Sequence, residues 1–396
     1  MAKKLLRFSI TLIITFALMS KTGCQADKTI IPGAERTDAY RALISGKRVA
    51  VAANQTSLIG NVHLVDSLIS LGINVVKIFS PEHGFRGNID DGAFVSDSVD
   101  PKTDVRIRSL YQESLKPDNS DLEDIDIVIF DIQDVGVRFY TYISTLYYIM
   151  ESCAENSKNL IVLDRPNPNG FYVDGPVLEP EYKSFVGMHE VPIVYGMTIG
   201  EYAMMINGEG WLNNSLKCNL TVIPCTNYDH KSKYDLPVRP SPNLPTMNGI
   251  YLYPSVCLFE GTALSVGRGT DFPFEVFGHP DLQDCSFSFV PEPKPGADTN
   301  PLLKGQVCRG VDLRYLRDLG HERPGRMDLQ WLIFAYSHFP DKSKFFNDYF
   351  EKLAGNNILR KQIIMGMTES EIRETWKEGL EKFKRVREKY LLYQDF

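Results

Sequence analysis

The chain has 396 residues, 43% of them hydrophobic and 23% charged, and carries a formal net charge of −7. That composition excludes a largely disordered chain and leaves room for two domains. The acidic balance argues against a nucleic-acid partner, whose phosphates need a cationic surface, and against adhesion to anionic lipid headgroups.

The first two dozen residues read as an export signal. Lys3, Lys4 and Arg7 form a basic start, and the apolar stretch from Ile10 to Met19 is too short to span a bilayer. Thr22-Gly23-Cys24 follows, with a small residue before a cysteine, as in lipoprotein signals where that cysteine is acylated. The preceding Ser20-Lys21 fits that pattern less well. Residues 1–24 are therefore expected to be a signal peptide. The protein is expected to be exported to the periplasm or anchored to the outer membrane, with Cys24 as its one membrane contact.

The next segments alternate short apolar runs with helix-like spacing. Arg48 to Ala53, Ile73 to Phe79, Ile125 to Phe130 and Leu160 to Leu163 suit strands buried on both faces. Leu64 to Leu71 and Tyr140 to Glu155 suit helices. This order predicts an α/β fold, a Rossmann-like open parallel sheet. A smaller α/β unit is expected after a boundary near residue 185, giving subdomains 25–185 and 186–396. There, Thr198 and Glu201 form a capping box that opens a helix through Ile206. Strands are expected at Asn219 to Ile223, Cys285 to Val290 and Gly305 to Asp312. Helices follow at Asp328 to His338, at Lys344 to Leu353 and after a second box at Thr368. Six scattered cysteines beyond Cys24 show no C-x-x-C pair and read as buried hydrophobes. Cys218 and Cys225 would sit roughly 20 Å apart across one extended strand, too far for a disulfide.

Each early strand ends in a polar cluster. These are Asn54-Gln55-Thr56, Ser80-Pro81-Glu82-His83-Gly84, Asp131 to Asp134 with Arg138 and Tyr140, and Asp164-Arg165-Pro166-Asn167. Parallel strands place their carboxyl ends on one edge, so these clusters should meet there. No G-x-G-x-x-G or Walker loop follows the first strand, which removes nucleotide chemistry. No G-x-S-x-G elbow is present for an esterase. His83 with Asp131 and Asp134 is the one metal option, and the histidine spacing does not support it, so neither metal nor cofactor is expected.

Carboxylate chemistry fits better. Cleaving a glycosidic bond takes an acid to protonate the leaving oxygen, commonly with a second carboxylate. Glu82 is the expected acid. Pro81 stiffens its approach, Gly84 permits a tight turn, and burial against Phe79 and Phe85 would favour its protonated form. Asp131 and Asp134 are the nearest expected second carboxylates. Further on, Arg239 to Thr246 forms a stiff loop bearing Ser241 and Asn243, followed by Glu260 and by Gly267-Arg268-Gly269-Thr270-Asp271. These residues are expected to line the opposite wall, with Glu260 and Asp271 as its carboxylates.

Taken together, NQT at 54–56, SPEHGFRG at 80–87, FDIQDVGVRFYTY at 130–142, DRPNPNG at 164–170, RPSPNLPT at 239–246 and LFEGT with SVGRGTDFPFE at 258–275 resemble the exo-β-N-acetylmuramidase family NamZ. One departure is Ser255 after Tyr253-Pro254, where the family pattern carries glycine. The resemblance implies a cleft between a Rossmann-like subdomain and a smaller α/β one, and release of terminal N-acetylmuramic acid from the non-reducing end of peptidoglycan-derived saccharides. It also implies Glu82 as the leading catalytic candidate. The second group is left open between a protein carboxylate and the substrate's own acetamido group. Arg138, Arg239 or Arg268 is expected to hold the lactyl carboxylate of that sugar, since a guanidinium fork matches a carboxylate. The competing expectation is a non-catalytic muropeptide- or sugar-binding protein with the same cleft, which would have no need of an acid at Glu82.

Overall fold

The computed structural model describes residues 29–86, 97–111, 114–318 and 325–396. The expected signal segment and Cys24 lie outside these residues. A helix α1 (Thr37–Ile44) leads into β1 (Arg48–Ala53), a small hairpin β2 (Leu58–Ile59) and β3 (Val62–His63), α2 (Leu64–Ser70) and β4 (Asn74–Ser80). Then come β5 (Ser98–Val99), β6 (Arg106–Ser109), α3 (Asn119–Leu122), β7 (Ile127–Asp131), α4 (Tyr142–Glu155), β8 (Asn159–Leu163), α5 (Ile199–Glu209) and β9 (Asn219–Ile223).

Seven of these strands form one sheet in the order β5-β6-β4-β1-β7-β8-β9, parallel except for the short antiparallel edge strand β5. Without β5, the chain starts at the centre, steps outward through β4 and β6, returns beside β1 at β7 and steps outward the other way. This is the doubly wound Rossmann order, and its switch point falls between β1 and β7. The central strands are buried along nearly their whole length because both faces are covered. Alternation divides their side chains: Ala50, Ala52, Val128, Phe130 and Val162 enter one core, while Val49, Val51, Ile129, Ile161 and Leu163 enter the other.

The second unit packs on the first of these faces. It contains α6 (Met247–Val256), a three-stranded antiparallel sheet β10-β12-β11 (Val276–His279, Cys308–Asp312, Phe287–Phe289), α7 (Tyr315–Asp318), α8 (Gln330–His338), α9 (Phe350–Ala354), α10 (Ile358–Ile364), α11 (Glu369–Glu374) and α12 (Lys377–Arg387). Its Ile250, Phe259, Phe277, Leu353 and Phe383 belong to the same continuous core as Phe130 and Leu146 of the sheet unit. The C-terminal tail then returns to the sheet unit, where Tyr393 donates to Asp164 at 2.5 Å.

Two expectations need correction. The sheet continues to β9 at residue 223, so the division near residue 185 falls inside the first unit. The helix expected from Lys344 to Leu353 forms only from Phe350. Asn347 interrupts it, donating its amide to the carbonyls of Glu260 and Thr262 and accepting from the Tyr349 amide. Helix α6 accommodates Pro254 in its last turn. Proline cannot donate to the carbonyl of Ile250, four residues back, and the Asn169 side-chain amide donates there instead at 3.2 Å. Among the described residues the cysteines are free, and all but Cys285 are buried.

Candidate active site

The loop after β4 carries Glu82 and His83 at the carboxyl edge of the sheet. His83 has φ +67° and Gly84 has φ +77°, two successive left-handed residues that turn the chain sharply. Glycine adopts this conformation freely, whereas histidine does so at a cost, the sort of outlier that gathers at functional sites. The His83 ring is buried, and its Nε2 lies 3.3 Å from the Ser241 hydroxyl on the loop that leads into the second unit. Thr141, at the start of α4, donates to Glu82 Oε2 at 3.3 Å.

These residues open onto a cavity of about 520 Å³ between the two units. The sheet unit contributes Glu82, His83, Tyr111 and the run from Phe139 to Tyr142, together with Ser184 to Val186. The second unit contributes Ser241, Asn243, Tyr253, Glu260, Arg268, Tyr349 and Lys352. Loop 239–246 is seated by Tyr140, whose hydroxyl donates to the Pro240 carbonyl at 2.8 Å, and by Gln55, which donates to the same oxygen at 3.0 Å. Ser241 Oγ accepts from the Asn243 amide at 3.1 Å. Glu260 and Arg268 form an ion pair of 2.6 Å on the wall, with the guanidinium also 5.1 Å above the Phe274 ring.

Phenols dominate the polar lining. Burial raises the pKa of Tyr140 well above its ordinary value, with Tyr142, Asp134 and Glu82 adding to the effect. Tyr349 is raised chiefly by burial and further by Cys257, Glu260 and Glu82. Both phenols therefore stay neutral at ordinary pH, Tyr140 with its proton on the Pro240 carbonyl and Tyr349 beside two carboxylates.

Among the expected site residues, Glu82, His83, Tyr140, Ser241, Asn243, Glu260 and Arg268 meet at this cavity. The others do not line it. Asp131 is fully buried in a two-point ion pair with Arg165, at 2.6 and 2.8 Å. Asp134 is buried beneath the edge, accepting from the Gly136 amide at 2.8 Å and from the Tyr195 hydroxyl. Burial lifts its carboxyl to about 6. Arg138 is fully buried and donates to the carbonyls of Pro176, Val191, Leu353 and Ala354 rather than to any carboxylate. Asp164 accepts from Thr198, the Gly200 amide and Tyr393. Asn54 and Asn167 close local turns through Thr56 and Asn169, and Thr270 closes another through Gly267. Arg239 is exposed, as is Asp271, which pairs with Lys294.

The expected burial partners of Glu82 also differ. Phe79 and Phe85 lie in the two cores, and the rings at the cavity are Tyr111, Phe139, Tyr140, Tyr142, Phe185, Tyr253, Phe274 and Tyr349. Most of these rings, with Thr141 and Lys352, were not singled out from sequence. Only the FYTY run and Phe274, each inside a recognised motif, gave any signal. Among the described residues no group of three metal-ligating side chains converges.

Comparison with known proteins adds an independent line. The family model described as exo-beta-N-acetylmuramidase NamZ, N-terminal, matches residues 49–248, and its C-terminal counterpart matches residues 251–393. The peptidoglycan beta-N-acetylmuramidase NamZ of Bacillus subtilis (strain 168) is 38% identical over 374 residues, covering 89% of each chain. A solved DUF1343 family protein from Bacteroides fragilis superposes with a TM-score of 0.87 at 48% identity, covering 93% of this chain and 100% of that one. A second from the same organism gives 0.77 at 27% identity, covering 92% and 99%.

Proposed function

This chain belongs to the exo-β-N-acetylmuramidase NamZ family, and we propose that its cleft removes terminal N-acetylmuramic acid from the non-reducing end of peptidoglycan fragments, with Glu82 as the acid. The observation that carries this reading is the meeting of Glu82 with Glu260, Arg268 and neutral phenols in one cavity between the units. Glu82 gives its proton to the departing glycosidic oxygen as that bond breaks, and water then adds its hydroxyl to the anomeric carbon while its remaining proton restores the Glu82 carboxyl. The Thr141 hydroxyl orients the donor carboxyl. Glu260, the other carboxylate on the cavity wall among the described residues, is the protein group best supported for assisting from the second unit. Tyr349 serves as a donor to the ring substituents, while Tyr140 seats the loop that carries Ser241. Arg268, the arginine on that wall, is assigned to the lactyl carboxylate.

The test is hydrolysis of a chromogenic N-acetylmuramic acid glycoside by the wild type and by Glu82→Gln. Wild-type turnover with a loss of roughly 10²–10⁴-fold in the variant is expected. Equal rates would remove Glu82 from the acid role. No turnover by either protein would favour a binding protein.

The basic and apolar N-terminus with Cys24 supports export and anchoring as a periplasm-facing lipoprotein acting in cell-wall turnover. Metabolic labelling with a fatty acid should mark the full-length chain, and Cys24→Ser should abolish the label. An unlabelled wild type would leave a plain secretory signal.

A further inference from the structure

A second cavity, of about 500 Å³, lies beside the first and shares a wall with it. The segment 183–190 forms that wall. Ser184, Phe185 and Val186 face the catalytic cleft, whereas Lys183, His189 and Glu190 face the second cavity. Helix α4 runs beneath both. Thr141, Ser144 and Tyr148 are spaced i, i+3, i+7, which places them on one helical face over roughly 10 Å. The first binds Glu82, the second holds the shared wall by donating to the Phe185 carbonyl at 2.7 Å, and the third lines the far cavity.

Rings mark out the same path. Tyr111, at the cleft, lies 6.5 Å from Phe185, and Phe185 is stacked at 21° and 6.5 Å on Tyr148. Beyond them is Trp211, its indole stacked on the His189 imidazole at 4.7 Å and 14°. The His189 ring is itself buried, with Nδ1 3.0 Å from the Tyr202 hydroxyl and Nε2 without a partner among the described residues. Burial lowers its pKa to about 3, so it stays uncharged and holds the indole plane. Lys183 and Glu190, both exposed, bring opposite charges to the rim, and Asn213 adds an amide.

We propose that this second cavity is a distal subsite that binds a sugar ring of the glycan retained after cleavage, beyond the residue that carries the leaving oxygen. This deepens the glycosidase reading and rests on it. An exo-acting enzyme encloses the terminal sugar, so the remainder of the strand must leave along the surface. The ring-bearing path over α4 is continuous with the cleft. Flat rings with hydrogen-bonding groups at their rim suit the apolar face and polar edge of a pyranose. The opposed rim charges cancel, which gives an anionic stem peptide no electrostatic advantage over the sugar ring that bears it.

The experiment compares Trp211→Ala and Tyr148→Ala with wild type on two substrates: a chromogenic N-acetylmuramic acid glycoside, and a peptide-free glycan oligosaccharide ending in the same sugar. The small glycoside should be turned over within about twofold of wild type, which also reports correct folding. The oligosaccharide should show a KM raised about tenfold at unchanged kcat, the loss of one aromatic contact. Trp211→Phe should recover most of it. Calorimetric binding of the oligosaccharide to Glu82→Gln protein, with and without Trp211→Ala, reads the far cavity even where hydrolysis fails, so failure of the glycosidase reading is seen separately. Equal losses on both substrates, or no loss on the oligosaccharide, would overturn the proposal. A loss seen only when the glycan carries stem peptide would assign the cavity to peptide and overturn it too.

Discussion

Glu260 Oε1 sits 2.6 Å from the Nε of Arg268, so the carboxylate engages one edge of a guanidinium on the cleft wall. The pairing holds the arginine plane in place over Phe274, and a planar guanidinium is the side chain that matches a substrate carboxylate. Arg268→Ala should lower kcat/KM on N-acetylmuramic acid glycosides by about 10-fold or more, the scale of a charge-assisted contact. Matched glucosamine glycosides, which lack the lactyl group, should change little. Equal losses on both sugars would show that Arg268 acts only by holding Glu260.

Asp131, expected as a second catalytic carboxylate, has become half of a buried ion pair. Asp131→Asn leaves the Arg165 charge uncompensated in the core, at a cost of about 3–5 kcal/mol. Chemical unfolding should show that loss. At temperatures where the variant remains folded, its turnover should match wild type. A folded variant with turnover lowered a hundredfold would restore a catalytic role.

Stability should depend on pH through Asp164. Burial, reinforced by Glu201, raises its carboxyl from 3.8 to about 7, against the hydrogen bonds from Tyr393, Gly200 and Thr198 that favour ionisation. Between those two values the folded chain retains a proton that the unfolded chain has released. Stability therefore falls as pH rises through this window, and levels off above it. Asp134, raised to about 6, acts in the same direction. In Asp164→Asn the decline in melting temperature across the window should be shallower than in wild type. An unchanged slope would mean that Asp164 is ionised in the fold.

Asn169 has a job that only the fold reveals. Its amide donates to the carbonyl that Pro254 leaves unfilled in α6 and to the carbonyl of Val135. Asn169→Ala should cost about 1–3 kcal/mol, since both buried acceptors lose their donor. Replacing Pro254 with alanine in that background should recover part of the loss by supplying an N–H to Ile250. No recovery would mean that the Val135 contact carries the effect.

The central strands were legible because their runs are apolar along their whole length, and the polar clusters after them do gather at one edge. What spacing does not disclose is the direction in which each side chain at that edge points. Asp131 follows Ile127 and Ile129 onto the face opposite the cleft, by the two-residue alternation of β7. Asp164 points toward α5 and the returning C-terminal tail, a partner more than two hundred residues away. Glu82, on a left-handed turn outside any strand, escapes that alternation and reaches the cavity. Tyr253 and Tyr349 come from segments whose aromatics look like ordinary core, and their place at the cavity depends on how the second unit docks.

Arg138 has implications for how the enzyme meets its substrate. Its guanidinium draws carbonyls from residues 176 and 191 together with carbonyls from residues 353 and 354, where α9 ends just past Tyr349 and Lys352. Prising the two halves apart would strand a buried cation, so the jaw is riveted rather than hinged. Glycan ends are thus received by a mould already set, and little binding energy is spent on shaping it.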